Sequence, residues 1–129
     1  LLTKRNKQPL IGMWGFISGK IQDIDNRIID SAQREIYEKT NLNIKNIDHI
    51  GDYYAKILSE NEVISNTLSH VFTVQIPKQI SAIIPTSESQ NWFSYEEMVA
   101  LSTMPDTLDL IYLSSHSDGK FFAELEYEI

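Results

Sequence analysis

Apolar and polar positions alternate, recur or cluster along this chain in ways that mark most of its elements. In the tail FFAELEYEI, residues Phe121, Ala123, Leu125, Tyr127 and Ile129 alternate with Phe122, Glu124, Glu126 and Glu128. That period of two predicts a strand with one apolar and one acidic face. The β-branched and aromatic run TLSHVFTVQI, Thr67 to Ile76, predicts a central strand. Ile44 to Leu58 predicts one or two more, with Gly51-Asp52 marking a bulge or bend. The two runs read as a hairpin joined by a polar connection, Ser59 to Asn66. Leu1 to Arg5 reads as the end of a strand, and Ile11, Trp14, Phe16 and Ile17 as a second strand leading to Gly19.

Helical spacing enters at Ile28, Ile29, Ala32 and Ile36, which make one stripe at about 100° per residue. Asp25 and Asn26 offer oxygens to cap the first turn, and Asn41 suits the left-handed position after the last. Ser94 and Glu97 form a capping box for a helix from Tyr95 to about Ser102, with Met98, Val99 and Leu101 inward. Pro105 opens a final helix carrying Leu108, Ile111 and Tyr112, closed by His116 to Gly119.

Length and composition narrow the class. A chain of 129 residues, 42% hydrophobic and 10% aromatic, can bury the core of one domain, expected over residues 1–129. It opens LLTKR inside a strand, so the start of that strand is expected upstream. Eleven basic against eighteen acidic residues give a net charge of −7, which opposes non-specific binding to nucleic acid or an anionic membrane. Without cysteine there is no disulfide, thiolate metal site or thiol nucleophile, in keeping with a cytoplasmic protein. No run reaches the roughly eighteen apolar residues needed to span a bilayer, and no signal-peptide pattern precedes the first elements.

The candidate chemistry lies on the first helix. Glu35 and Glu38, three residues apart, present carboxylates on one surface, and such oxygens suit Mg²⁺. Arg34, Glu35, Glu38 and Lys39 alone are equally readable as a salt-bridged helix face. The surrounding stretch Gly19 to Leu42, GKIQDIDNRIIDSAQREIYEKTNL, resembles the Nudix box: a leading glycine, a first Glu, Arg-Glu, a Glu-Glu pair and a closing glycine. Gly19, Arg34, Glu35, Ile36, Glu38 and Leu42 fall in step with it, while one residue is inserted before Asn26. Asp25 or Asn26 stands for the first Glu, Lys39 for the second of the pair and Asn41 for the final glycine. The approach WGFISGK and the Trp92-Phe93 pair before a capped helix are also similar to that family.

The resemblance implies an α/β (α+β) fold, a Nudix-like α/β/α sandwich with a mixed β-sheet. It implies Mg²⁺ or Mn²⁺ held by Glu35, Glu38 and the Gly19 carbonyl, with Arg34 bracing Glu38. The implied reaction is hydrolysis of a nucleoside diphosphate linked to another group. Lys39 in a ligand position implies fewer or weaker metal sites, with Glu88, Asp25 or Glu97 making up part of the difference. The alternative is the same fold without catalysis, binding a nucleotide or a protein partner; a third reading is a structural dimerisation domain.

Other residues sharpen or remove alternatives. Lys4, Arg5 and Lys7, with Lys20 past the loop glycine, form the main cationic group; they read as a solvated strand end or, through Arg5 and Lys20, as contacts for substrate phosphate. Gly19-Lys20 is no phosphate-binding P-loop, since Trp14 and Ile21 occupy required Gly and Ser/Thr positions. His49, His70 and His116 share no metal-ligand spacing and are expected to be structural. Trp14, Tyr53, Tyr54 and Trp92 could stack a base or fill the core. The tail strand is expected on the domain's own sheet, with exchange into a homodimer as the other reading.

Overall fold

The computed structural model describes residues 1–129. In chain order the elements are β1 (Leu2–Lys4), β2 (Trp14–Gly15), α1 (Ile28–Thr40), β3 (Asp48–Ser59), β4 (Glu62–Thr73), α2 (Lys78–Ser81), β5 (Gln90–Asn91), α3 (Tyr95–Val99), α4 (Thr107–His116) and β6 (Phe121–Glu128). They build an α/β molecule with two three-stranded sheets, ordered β2-β1-β5 and β4-β3-β6. The second sheet is mixed, as expected: β4 runs antiparallel to β3 and β6 runs parallel to it. No helix is long and apolar enough to cross a membrane.

Burial along β3 follows the pleat, with Gly51, Tyr53, Ala55 and Ile57 inward between half-exposed Asp52, Tyr54 and Lys56. Tyr53, Ala55, Phe121 and Leu110 of α4 form the central apolar cluster, with Ile50, Val71, Leu113, Ala123 and Leu125 packed around it. Gly51 is required here, because a Cβ at that position would lie 2.6 Å from the Phe121 ring. β6 keeps its predicted alternation: Phe121, Ala123, Leu125 and Tyr127 turn toward the core face, and Phe122, Glu124, Glu126 and Glu128 are exposed. It extends the domain's own sheet beside β3.

Several local expectations shift. The polar connection from Ser59 to Asn66 shrinks to a turn at Glu60 and Asn61, both at positive φ (51° and 66°), and β4 begins at Glu62. Paired left-handed residues match the twist of a hairpin, but Glu-Asn is a weaker signal for that turn than Asn-Gly. The second strand is only Trp14–Gly15, since Leu10 and Gly12 take positive φ (67° and 86°) and interrupt the extended run. On α1 the N-cap is Arg27 rather than Asp25 or Asn26, its amide donating to Asp30 Oδ2 at 2.9 Å. Ile28 of the expected stripe is exposed, while Ser31 and Thr40 are buried. The Asn41 cap is as expected, left-handed at φ 60° with its amide donating to the Tyr37 carbonyl. The Ser94–Glu97 capping box is present in both directions; Met98 is buried, but Val99 is exposed. α4 directs Thr107 and Leu110 inward and leaves Tyr112 outside, stacked on His116.

Candidate functional site

Arg34 organises the loop and helix that the sequence singles out. Its guanidinium grips Asp25 with two bonds, Nη2 to Oδ2 at 2.9 Å and Nε to Oδ1 at 3.2 Å. The same Nη2 donates to the Lys20 carbonyl at 3.0 Å, so the box loop is fastened to α1 at both Lys20 and Asp25. Nη1 donates to Glu35 Oε1 at 2.9 Å and lies 3.6 Å from Glu38 Oε1. Two carboxylates one helical turn apart thus converge on one nitrogen. The Asp25 side chain is 4% exposed and Glu35 14%, against 52% for Glu38. Hydrogen bonds from Arg34, with the Gln22 amide adding another, hold the Asp25 carboxyl below the usual carboxylate range. Asp25, and after it Glu35, raise Arg34 further above its ordinary value.

Gly19 meets Glu35 directly: a Cβ on Gly19 would coincide with the Glu35 carboxylate. The loop glycine therefore makes the space in which that carboxylate sits. Gly19, Glu35, Glu38 and Arg34 are together in the structure. Lys20 extends from the same loop, exposed. Arg5 directly follows β1, with Nη2 on the Gln8 carbonyl at 3.0 Å and Nε on that of Pro9. Glu88 is exposed in the turn before β5 and makes no ion pair or hydrogen bond to α1. Glu97 is engaged by its own cap, and the Ser94 amide and hydroxyl hold its carboxyl below the ordinary range. Asp25 shares the Arg34 guanidinium with Glu35 and Glu38, whereas Glu97 is held by its own helix cap.

Lys39 pairs with no carboxylate; its backbone carbonyl accepts from Gln90 Nε2 at 2.8 Å, tying the end of α1 to β5. The cation that competes for Glu35 is Arg34, one residue before it, and not Lys39. The oxygen set of Glu35, Glu38 and the Gly19 backbone fits a hard cation that keeps several waters. Of the aromatics, Tyr53 is buried and donates to Asp106 Oδ2 at 2.6 Å, while Trp14 packs edge-to-face on Phe93 with Lys4 above it. Tyr54 and Trp92 retain accessible rings.

Contrary to what their spacing in sequence suggests, His49 and His70 are not independent of one another, while His116 stays apart on the Tyr112 carbonyl. His49, Asp52 and His70 meet on the sheet face opposite the core cluster, and their ligand atoms all lie within 4.8 Å of one another. Asp52 Oδ1 is 2.7 Å from His49 Nε2 and 2.6 Å from His70 Nδ1. Burial opposes ionisation of Asp52, but bonds from His70 and His49 outweigh it and hold the carboxyl below its ordinary value. The only sequence signal was Gly51-Asp52, marked as a bulge; cross-strand pairing to His70 is invisible without the register.

A family model described as the NUDIX domain matches residues 1–113, which takes in both the box and α3 and stops before β6. No curated protein matches in sequence. Among solved structures, NrtR of Shewanella oneidensis is similar at a TM-score of 0.73 and 19% identity, over 88% of this chain and 52% of that one. The chain spans about half the length of that structure, and at such identity the likeness establishes the fold alone.

Proposed function

Because the chain belongs to the Nudix family, we propose that it hydrolyses the phosphoric anhydride of a nucleoside diphosphate linked to another group. What supports the reading is one observation: the Arg34 guanidinium gathers the box loop and the carboxylates of Glu35 and Glu38 at one place. Mg²⁺ or Mn²⁺ would be held by Glu35, Glu38 and the Gly19 carbonyl. When bound, such an ion neutralises a diphosphate and lowers the pKa of coordinated water. The chain's own residues prepare for that. Gly19 leaves room for the Glu35 carboxylate, Arg34 fixes its orientation, and Asp25 anchors Arg34. Glu38, the more exposed carboxylate, faces the arriving substrate and ion. Lys20 on the box loop, and Arg5 through the Nη1 that Gln8 and Pro9 leave free, supply positive charge for substrate phosphates in an otherwise acidic protein. Glu88 is assigned as a further acid, and a cytoplasmic setting suits the cysteine-free composition.

A second reading has a specific observation behind it. Arg34 already occupies Glu35, and Lys39 stands where the box carries a second Glu, which favours a module that binds nucleotides with little turnover. Phosphate release from a panel of nucleoside diphosphate compounds with Mg²⁺ or Mn²⁺ separates the two. Turnover that Glu38→Gln removes supports the hydrolase. Absence of turnover with every compound, beside measurable ligand binding, establishes the binding module.

A further inference from the structure

Two imidazoles and a carboxylate come together on β3 and β4, and the chemistry assigned to α1 uses none of them. In a regular strand, residues 49 and 52 point to opposite faces. Here the register passes from His49 opposite Phe72 to Gly51 opposite Val71, leaving Ile50 as an extra residue. That bulge turns His49 onto the face of Asp52, which pairs directly with His70 across the ladder. The Phe72 ring, 5.1 Å from that of His49, packs along one side of it. A carboxylate oxygen can only accept, so the ring nitrogens that contact Asp52 Oδ1 carry the hydrogens: Nε2–H in His49 and Nδ1–H in His70.

We propose that His49, Asp52 and His70 form a binding site for a divalent first-row transition metal of the Zn²⁺ class, separate from the carboxylate site on α1. The donor set decides the class: two imidazoles with one carboxylate suit Zn²⁺ and its neighbours, whereas Mg²⁺ and Ca²⁺ prefer oxygen throughout. Bonds of about 2.0–2.1 Å in a tetrahedron place ligand atoms roughly 3.4 Å apart. The present His–Asp contacts of 2.7 and 2.6 Å are shorter and all three ligand atoms lie within 4.8 Å, so side-chain adjustments of about 1 Å over a fixed ladder bring them to that spacing. Binding exchanges tautomers: the hydrogen on each ligating nitrogen moves to the other nitrogen of its ring, and both rings remain neutral. The side chains are 26–32% exposed, so the ion arrives directly from solvent. Three protein ligands leave one position for water, and neither histidine's far nitrogen has a protein partner, which weakens the site by about 10- to 100-fold against one whose ligands are so supported.

The test uses the full chain without a histidine tag, with Mg²⁺ in excess so that the α1 oxygens do not compete. Calorimetric titration with Zn²⁺ is expected to give one ion per chain, and Co²⁺ a tetrahedral visible spectrum that Zn²⁺ abolishes. Asp52→Asn, which keeps the side-chain shape, and His70→Gln should each weaken Zn²⁺ at least about tenfold and bleach the Co²⁺ spectrum. Wild-type circular dichroism of either variant suffices to score the result. Absence of saturable Zn²⁺ binding, or binding unchanged in both variants, overturns the proposal. Hydrolysis plays no part in the readout, so this site stands or falls independently of the function proposed for α1.

Discussion

The box region, Gly19 to Thr40, and the mixed sheet, β4-β3-β6, are held in place by different forces. The sheet rests on Tyr53, Ala55, Leu110 and Phe121, buried against one another under α4. The box region rests on a guanidinium with three carboxylates and a carbonyl around it, and its buried residues are Ser31 and Thr40. Apolar burial is non-directional and indifferent to charge, so it sustains a scaffold. Charge-assisted hydrogen bonds are directional and exchangeable, so a cation can trade with Arg34 for the same oxygens without the sheet noticing. The fold thus keeps its rigid and its responsive chemistry in separate places. The His49–Asp52–His70 group belongs to the second kind but is mounted on the first.

The comparison breaks first at the core. Leu110→Ala should cost about 2–5 kcal/mol, since it removes a buried side chain from the central cluster, and the whole molecule should lose its cooperative transition at lower denaturant. Gly51→Ala should cost about 1–3 kcal/mol by forcing a Cβ against the Phe121 ring, and Phe121→Leu should recover part of it in a double-mutant cycle. Neither change should alter ion binding at α1 in the molecules that remain folded.

Changes in the box region should do the reverse. Arg34→Lys cannot reproduce the forked contact with Asp25 and should lower Mg²⁺-dependent activity about 10- to 100-fold with little change in melting temperature. Acid should separate the regions too. Asp25, held low by Arg34, and Asp30, held low by Arg27, bind protons less readily in the folded chain than in the unfolded one. The stability they contribute is complete above their unfolded value of 3.8 and disappears as pH falls through the lower folded values. Amide protection at residues 20–34 should therefore fall below that pH, whereas in β3 the loss should be confined to the neighbourhood of Asp52, which His70 and His49 hold low in the same way. The smallest effect expected is that of Lys39→Glu, which restores a box carboxylate and should tighten Mg²⁺ by about tenfold, as a reversal of one exposed charge near the ion allows.

Much of the scaffold was legible because local chemistry decided it. The alternation in β6, the reciprocal Ser94–Glu97 cap and Asn41 at a left-handed C-cap each rest on residues a few positions apart. The box residues Gly19, Arg34, Glu35 and Glu38 were legible through family likeness, and the structure places them together. What escaped depends on pairing across distance. Nothing local tells Asp25 that Arg34 will grip it and displace it from the N-cap. The hairpin turn at Glu60-Asn61 lacks a glycine signature, and β4 tolerates polar residues because it is an exposed edge. His49 and His70 are 21 positions apart in sequence, and only the bulge at Ile50 and the register to Asp52 bring them together.

The central claim is that the box helix, through Glu38, carries hydrolysis of a nucleoside diphosphate compound. The most direct test compares initial rates of wild type and Glu38→Gln on such a substrate with Mg²⁺ as the sole divalent ion. The account predicts a fall of at least about a hundredfold, with an unchanged melting temperature. A variant that turns over at the wild-type rate would contradict it.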